Sequence, residues 1–181
     1  MKTLKKILLG VAAFVVLPLV VALFVQNDFK VERQIVINKP QPEVFAYLKH
    51  LKNQENFSKW VMADPNMKKA FRGTDGTVGF VYAWNGNDQA GEGEQEIKHL
   101  DGQNIDIEVR FKRPMESMAQ APFHTQALSD NQTKVTWGMQ GSSPYPFNLM
   151  NLFTDKMLGG DLEASLTNLK GILEKETISK K

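Results

Sequence analysis

The stretch YPFNLMNLFTDKMLGGDLEASLTNLKGILEK, residues 145–175, decides how this chain folds. Leu158, Leu162, Leu166, Leu169 and Leu173 recur at steps of four, four, three and four, which places them on one stripe of an α-helix. The spacing predicts a long helix over roughly 147–175. A second stripe lies about a quarter turn away: Met150, Phe153, Met157, Gly160, Ala164, Asn168 and Gly171. One stripe suffices to dock a helix on a sheet, so the second calls for a neighbour of its own.

That neighbour is sought in the strands upstream. GFVYAWNGND (79–88) sets Phe80, Tyr82 and Trp84 on one strand face and then runs into Asn85-Gly86, a strong hairpin signal. In NIDIEVRF (104–111), Ile105, Ile107, Val109 and Phe111 alternate with Asp106, Glu108 and Arg110. In TKVTWGMQG (133–141), Val135, Trp137 and Met139 alternate with Thr136 and Gln140. Together with MKKAFRG, AGEGEQEIKHL and ESMAQAPFHTQAL these read as six strands joined by short turns, hence an antiparallel sheet with one wet face. An earlier strand, FKVERQIVIN (29–38), is interrupted in its alternation only by Arg33. Between it and the others, Pro42 can open a short helix carrying Val44, Phe45, Leu48 and Leu51. The expected fold is α+β: a curved antiparallel seven-stranded sheet wrapped around the C-terminal helix.

The N-terminus reads differently. Lys2, Lys5 and Lys6 precede an uncharged run from Ile7 to Val25, close to the ~20 residues that cross a hydrocarbon core. A cleaved signal peptide is the competing reading, but no Ala-x-Ala site follows Pro18. The pattern predicts a transmembrane anchor over 1–27, a domain over 28–176 and a polar tail over 177–181. The basic flank would keep the N-terminus cytoplasmic, with the domain exported to a periplasmic or extracellular side.

Composition excludes several classes of function. The 181 residues carry a formal net charge of +2, and three of the 22 Lys+Arg precede Asp28, where no acid does. The remainder, 19 basic against 20 acidic residues, has no electrostatic footprint for nucleic acid. Cysteine is absent, which removes disulfides, thiolate catalysis and cysteine-based zinc sites. His50, His99 and His124 are too far apart in pattern to form a metal motif, and Gly91-Glu92-Gly93 opens a strand instead of a dinucleotide-binding helix. No cofactor, metal or catalytic constellation is expected. Glu92, Glu94, Glu96 and Lys98 form a wet strand face, and Arg110 shares the outward parity of Asp106 and Glu108. The glycines at 91 and 93 either leave room for a ligand or mark a bulge.

The stretches VERQIVINKPQPEVFAYLKHLKNQENFSKW, GTVGFVYAWNGNDQAGEGEQEI, VTWGMQGSSPYPFNLMNLF and DLEASLTNLKGILEK resemble the START-like or SRPBCC superfamily, the polyketide cyclase/dehydrase and lipid transport group, over about residues 30–175. The resemblance implies the helix-grip fold and a mostly apolar cavity between sheet and last helix. The expected function is membrane-anchored binding of a hydrophobic small molecule or lipid, without catalysis. Its expected lining is Phe80, Tyr82, Trp84, Gln95, Val109, Phe111, Trp137, Met139, Met150, Phe153, Met157 and Gly160, with Tyr82, Trp84, Gln95, Trp137 and Asn168 as polar contacts. A cyclase or dehydratase using Tyr82, His124 or an inward glutamate is one alternative, and a protein-interaction module with a collapsed cavity is the other.

Overall fold

The computed structural model describes residues 2–175, the side chains of residues 2, 4, 8, 9 and 11–13 excepted. An N-terminal helix α1 (Lys2–Ala22) leads into strand β1 (Asp28–Ile37). Helix α2 (Gln41–Leu48), a 3-10 turn (Leu51–Asn53) and the one-turn helices α3 (Gln54–Phe57) and α4 (Lys59–Met62) follow. Then come β2 (Lys68–Arg72), β3 (Val81–Asn85), β4 (Glu92–Leu100), β5 (Asn104–Arg113), β6 (Ser117–Gln120), β7 (Phe123–Ser129) and β8 (Gln132–Ser142). A 3-10 stretch (Phe147–Leu152) precedes the long helix α5 (Thr154–Lys175).

All pairings are antiparallel, in the order β1-β8-β6-β5-β4-β3-β2, with β7 also between β5 and β8. The sheet has eight strands where the sequence predicts seven. Pro122 is the cause: it has no N–H to donate, and the stretch read as one strand over 116–128 divides there into β6 and β7. The β3–β4 hairpin turns where the Asn85-Gly86 signal puts it, but through a longer loop. Its connection runs over 86–91, closed by Gly86 N–H to Gly91 C=O (2.8 Å) and Gly91 N–H to Asn87 C=O (2.8 Å). Asp64 takes over the role of a tight turn by accepting Asn87 N–H at 2.8 Å.

The leucine stripe docks as its spacing requires. Leu162, Leu166, Leu169 and Leu173 are fully buried, each worth roughly 1.5–3 kcal/mol of transfer free energy. Arg33, the apparent interruption in β1, shares the inner parity of Val31 and Ile35 and braces the start of α5. Its guanidinium bonds Asp155 twice, at 2.9 and 3.0 Å, and fills the space that a Cβ on Gly159 would need. Between α5 and the sheet lies an aromatic stack. Phe123 lies nearly parallel to Trp137 at 4.6 Å, and Phe57 meets both edge-on at 6.4 and 5.9 Å. This part of the interior is filled.

The expected membrane anchor is corrected. Among the described residues no helix is long and apolar enough to cross a membrane. A hydrocarbon core needs ~30 Å. The single-pass topology, the membrane contact and the exported placement of the domain, all read from that anchor, go with it. The end of α1 is instead tied to the domain: Asn148 donates to the carbonyls of Ala22 and Val25 (2.8 Å each), and Asn151 to those of Gln26 (3.0 Å) and Asn27 (2.7 Å). These amides satisfy carbonyls that a helix terminus and the turn after it leave open. The polar tail expected over 177–181 lies outside the described residues.

On the outer face of the sheet, Arg110 gathers three carboxylates. It bonds Glu94 (3.0 Å) and Glu96 (2.8 Å) across the β4–β5 pair and Glu108 on its own strand, while Arg72 bonds Glu94 at 2.8 Å. Hydrogen bonds from Arg72 and then Arg110 hold the Glu94 carboxyl below its ordinary range, and Arg110 does the same for Glu96. A lowered carboxylate stabilises the fold above its unfolded pKa of about 4.3, and that contribution is lost as pH falls through the folded value. Arg110→Met therefore costs about 1–2 kcal/mol at pH 7, where it leaves three clustered carboxylates, and markedly less near pH 3. Urea unfolding at the two pH values measures the difference.

Candidate functional site

The concave face is a grid of cross-strand rows. Tyr82, Gln95, Val109 and Ala119 stand opposite one another in sequence across β3, β4, β5 and β6, and Trp84, Gly93, Phe111 and Ser117 form the next row. Phe80, whose carbonyl accepts the Ile97 N–H at 3.1 Å, continues the grid beyond Tyr82. On β8, Trp137 opposes Phe123 and Met139 opposes Val31.

These positions fall into two groups. Phe80, Tyr82, Gln95, Val109 and Trp137 are buried, and Phe80 and Trp137 are part of the closed core that also contains the leucine stripe. Trp84, Phe111 and Met139 are only half-buried, as are Phe29 and Gly141 on the same face. Trp84 and Phe111 touch edge-to-face at 6.1 Å. From the helical side, Trp60 and Leu158 are half-buried as well. The inner face thus has a closed half under α5 and α3, and a half whose apolar side chains are incompletely covered.

Of the two readings of Gly91 and Gly93, room for a ligand or a bulge, the structure shows the bulge. Gly91 has φ +68° and lies against the Arg113 carbonyl, and the register of β4 on β5 shifts between Glu92 and Gly93, so the pair marks a bulge. The room over Gly93 belongs to Trp84, whose ring carbons lie 2.8 Å from where a Cβ would stand. Trp84 is fixed there by its indole N–H, which donates to Ala90 C=O at 3.1 Å.

The second stripe of α5 does not face the sheet at its N-terminal half. Met150, Phe153 and Met157 are 51%, 53% and 57% exposed, and Gly160 is exposed too. With the leucines seated inward, a stripe rotated by a quarter turn reaches a neighbour only where α3 and α4 lie. There Ser165 Oγ accepts the Lys59 N–H (2.9 Å), and Asn168 donates to Phe57 C=O (3.2 Å), serving as a strut between helices.

Helix α3 adds polar groups that the sequence reading passed over. Gln95 Nε2 donates to Gln54 Oε1 at 3.1 Å, and Tyr82 Oη donates to Glu55 Oε1 at 3.3 Å. Lys69 Nζ lies 2.8 Å from the other Glu55 oxygen. Period-two alternation in MKKAFRG could have flagged Lys69, which shares a face with Phe71; nothing in ENF marks Glu55 as inward. Trp137 Nε1 is buried without a hydrogen-bond partner. The histidines stay apart: His50 approaches Asp75 at 3.5 Å, His99 approaches Asp101 at 3.6 Å, and His124 Nδ1 lies 2.7 Å from Asn104 Oδ1. Among the described residues no group of three His, Cys, Asp or Glu is placed to hold a metal ion.

Two clefts border this face on its β1–β8 side, where Phe29, Val31, Ala119 and Gly141 line them. One of about 350 Å³ is lined by Phe24, Phe29, Val31, Asn151, Leu152 and Asp155, between the start of β1 and the start of α5. The other, about 630 Å³ and open, is lined by Lys30, Met118, Gln120, Gln140 and Ser142 among others. None of the expected ligand-binding residues lines either one.

No family model and no curated protein matches this chain. Solved structures do. The Zhui aromatase/cyclase from Streptomyces sp. R1128 is similar at TM-score 0.62 and 11% identity, over 83% of this chain and 96% of that one. Norcoclaurine synthase from Thalictrum flavum, in complex with dopamine and hydroxybenzaldehyde, is similar at 0.62 and 8%, over 86% and 91%. Ara h 8.0201 is similar at 0.54 and 13%, over 82% and 99%. Such low identities establish the fold alone: a helix-grip fold, a curved antiparallel sheet wrapped around a long C-terminal helix.

Burial, then the nearby Glu55 charge and its hydrogen bond, raise the Tyr82 phenol well above the ordinary tyrosine value. Tyr82 therefore stays a neutral donor at ordinary pH, and its contribution is full below the usual tyrosine value of about 10 and is lost as pH rises from there through the raised one. Spectrophotometric titration to about pH 11 should give the same tyrosinate amplitude for the native protein and for Tyr82→Phe, since Tyr82 does not ionise there.

Proposed function

We propose that residues 28–176 form a binding module for a hydrophobic small molecule or lipid, held without catalysis against the open half of the concave face. The observation that carries this reading is the half-burial of Trp84, Phe111 and Met139 on a face that buries Phe80, Tyr82 and Trp137. Uncovered apolar area costs about 25 cal/mol per Å², which an apolar ligand laid on these rings recovers. The fold supports the same reading, since one similar structure, norcoclaurine synthase, holds two small aromatic molecules. The buried Phe57, Phe123 and Trp137 stack leaves the ligand no room under α5, so the site lies toward Trp84 and Phe111.

A second reading, a protein-interaction module, draws on the exposed Tyr145, Phe147, Met150, Leu152, Phe153 and Met157, a run of apolar side chains around the start of α5. The two separate by titration with N-phenyl-1-naphthylamine, a neutral fluorescent probe. The binding module predicts saturable enhancement that Phe111→Arg weakens by about tenfold, the cost of setting a charge into an apolar site. Met118→Arg, on the outer face opposite Arg110, leaves it unchanged. No saturable binding, or equal effects of the two variants, overturns the reading.

A further inference from the structure

The open half of the face has a polar edge that closing the fold does not require. Lys69 stands directly opposite Trp84 on the neighbouring strand, and Phe71 opposite Tyr82, so all four side chains share the inner face. Glu55 reaches down from α3 and joins Lys69 (2.8 Å) to Tyr82 (3.3 Å). Tyr82 is buried, whereas the Lys69 and Glu55 side chains keep 24% and 34% of their exposure, so the ion pair stays partly open to solvent, with Lys69 beside Trp84. An ammonium has three donors and a carboxylate about four acceptor sites, so the internal bonds leave both a donor and an acceptor unused.

That pair of unused sites selects a chemistry. A hydroxyl can donate to Glu55 and accept from Lys69 at once. A second carboxylate would sit beside Glu55 and be repelled by it. A bare hydrocarbon would strip water from both ions and return nothing. The half-buried Trp84 and Phe111 rings favour a flat body for the rest of the molecule.

We propose that Lys69, Glu55 and Tyr82 form the polar pole of the ligand site, and that the site takes a neutral, flat, hydroxyl-bearing molecule in preference to its hydrocarbon or its carboxylate. This rests on the binding reading above. The rival role is a strut that only fastens α3 to β2 and β3, and a strut would not distinguish one polycyclic probe from another.

The test is fluorescence titration of the full chain at pH 7 with pyrene, 1-hydroxypyrene and 1-pyrenecarboxylate. The expected result is that 1-hydroxypyrene binds about tenfold more tightly than either of the others, the worth of one charge-assisted hydrogen bond. Glu55→Gln and Lys69→Met should each bring the hydroxypyrene-to-pyrene ratio close to one. Equal binding of pyrene and hydroxypyrene by the wild type overturns the polar pole while leaving the hydrophobic site standing. A preference for hydroxypyrene that persists in both variants does the same. Tightest binding of the carboxylate overturns the neutral class, and failure of all three probes to bind overturns the pole together with the binding reading. The three-probe comparison on the wild type decides even where a variant does not fold.

Discussion

Phe57 is the residue on which the arrangement of layers depends. Its ring meets Tyr47 of α2 at 6.4 Å, Phe123 of β7 at 6.4 Å and Trp137 of β8 at 5.9 Å, and its carbonyl accepts from Asn168 of α5. One side chain at the end of a one-turn helix thus ties both flanking helices to the sheet. A helix this short has no stability of its own and is held by tertiary packing. Loss of such a ring costs about 3–5 kcal/mol, a large share of an ordinary domain's stability. Because Phe57 fixes α3, it also fixes Gln54 and Glu55 over β3 and β4, and so decides which part of the concave face is closed.

The consequence is an inner face with two characters. Under α5 the leucine stripe and the aromatic stack leave no vacancy, and the interior there is an ordinary close-packed core. Beyond α3 the sheet continues through Trp84, Phe111 and Met139 with less above it. The polar groups Tyr82, Gln95 and Lys69 fall along the border between the two. This ordering, apolar core, polar border, half-buried aromatic wall, is the physical content of the proposed site.

Much of this was legible in the sequence, and the failures have identifiable causes. The leucine stripe, the alternation in β5 and β8, and the outward placement of Glu94, Glu96 and Arg110 follow from periodicity, which burial of one face enforces. Pro122 was visible but was not given its consequence, so one strand was expected where two exist. The Met150, Phe153 and Met157 stripe was assigned to the sheet because helical periodicity reports that a face is apolar and not what covers it. Arg33 looked like an error in a strand pattern and is a brace, since only the packed helix supplies Asp155 and the gap at Gly159. Glu55 could not be found at all: four residues of helix carry no period, and its role comes from a residue on β2 and another on β3. The N-terminal span was inferred from a run of uncharged letters, and no helix among the described residues meets the length and apolarity that crossing a membrane demands.

In the proposed binding mode a ligand occupies the open half of the face and not the core. The chain has three tryptophans, of which Trp84 lies on the proposed wall and Trp137 in the filled stack. Indole N–H resonances followed by NMR during addition of N-phenyl-1-naphthylamine report on both at once. Binding at the open half shifts the Trp84 signal with saturation while the Trp137 signal stays in place. A shifting Trp137 beside a silent Trp84, or no shift in either, would contradict it.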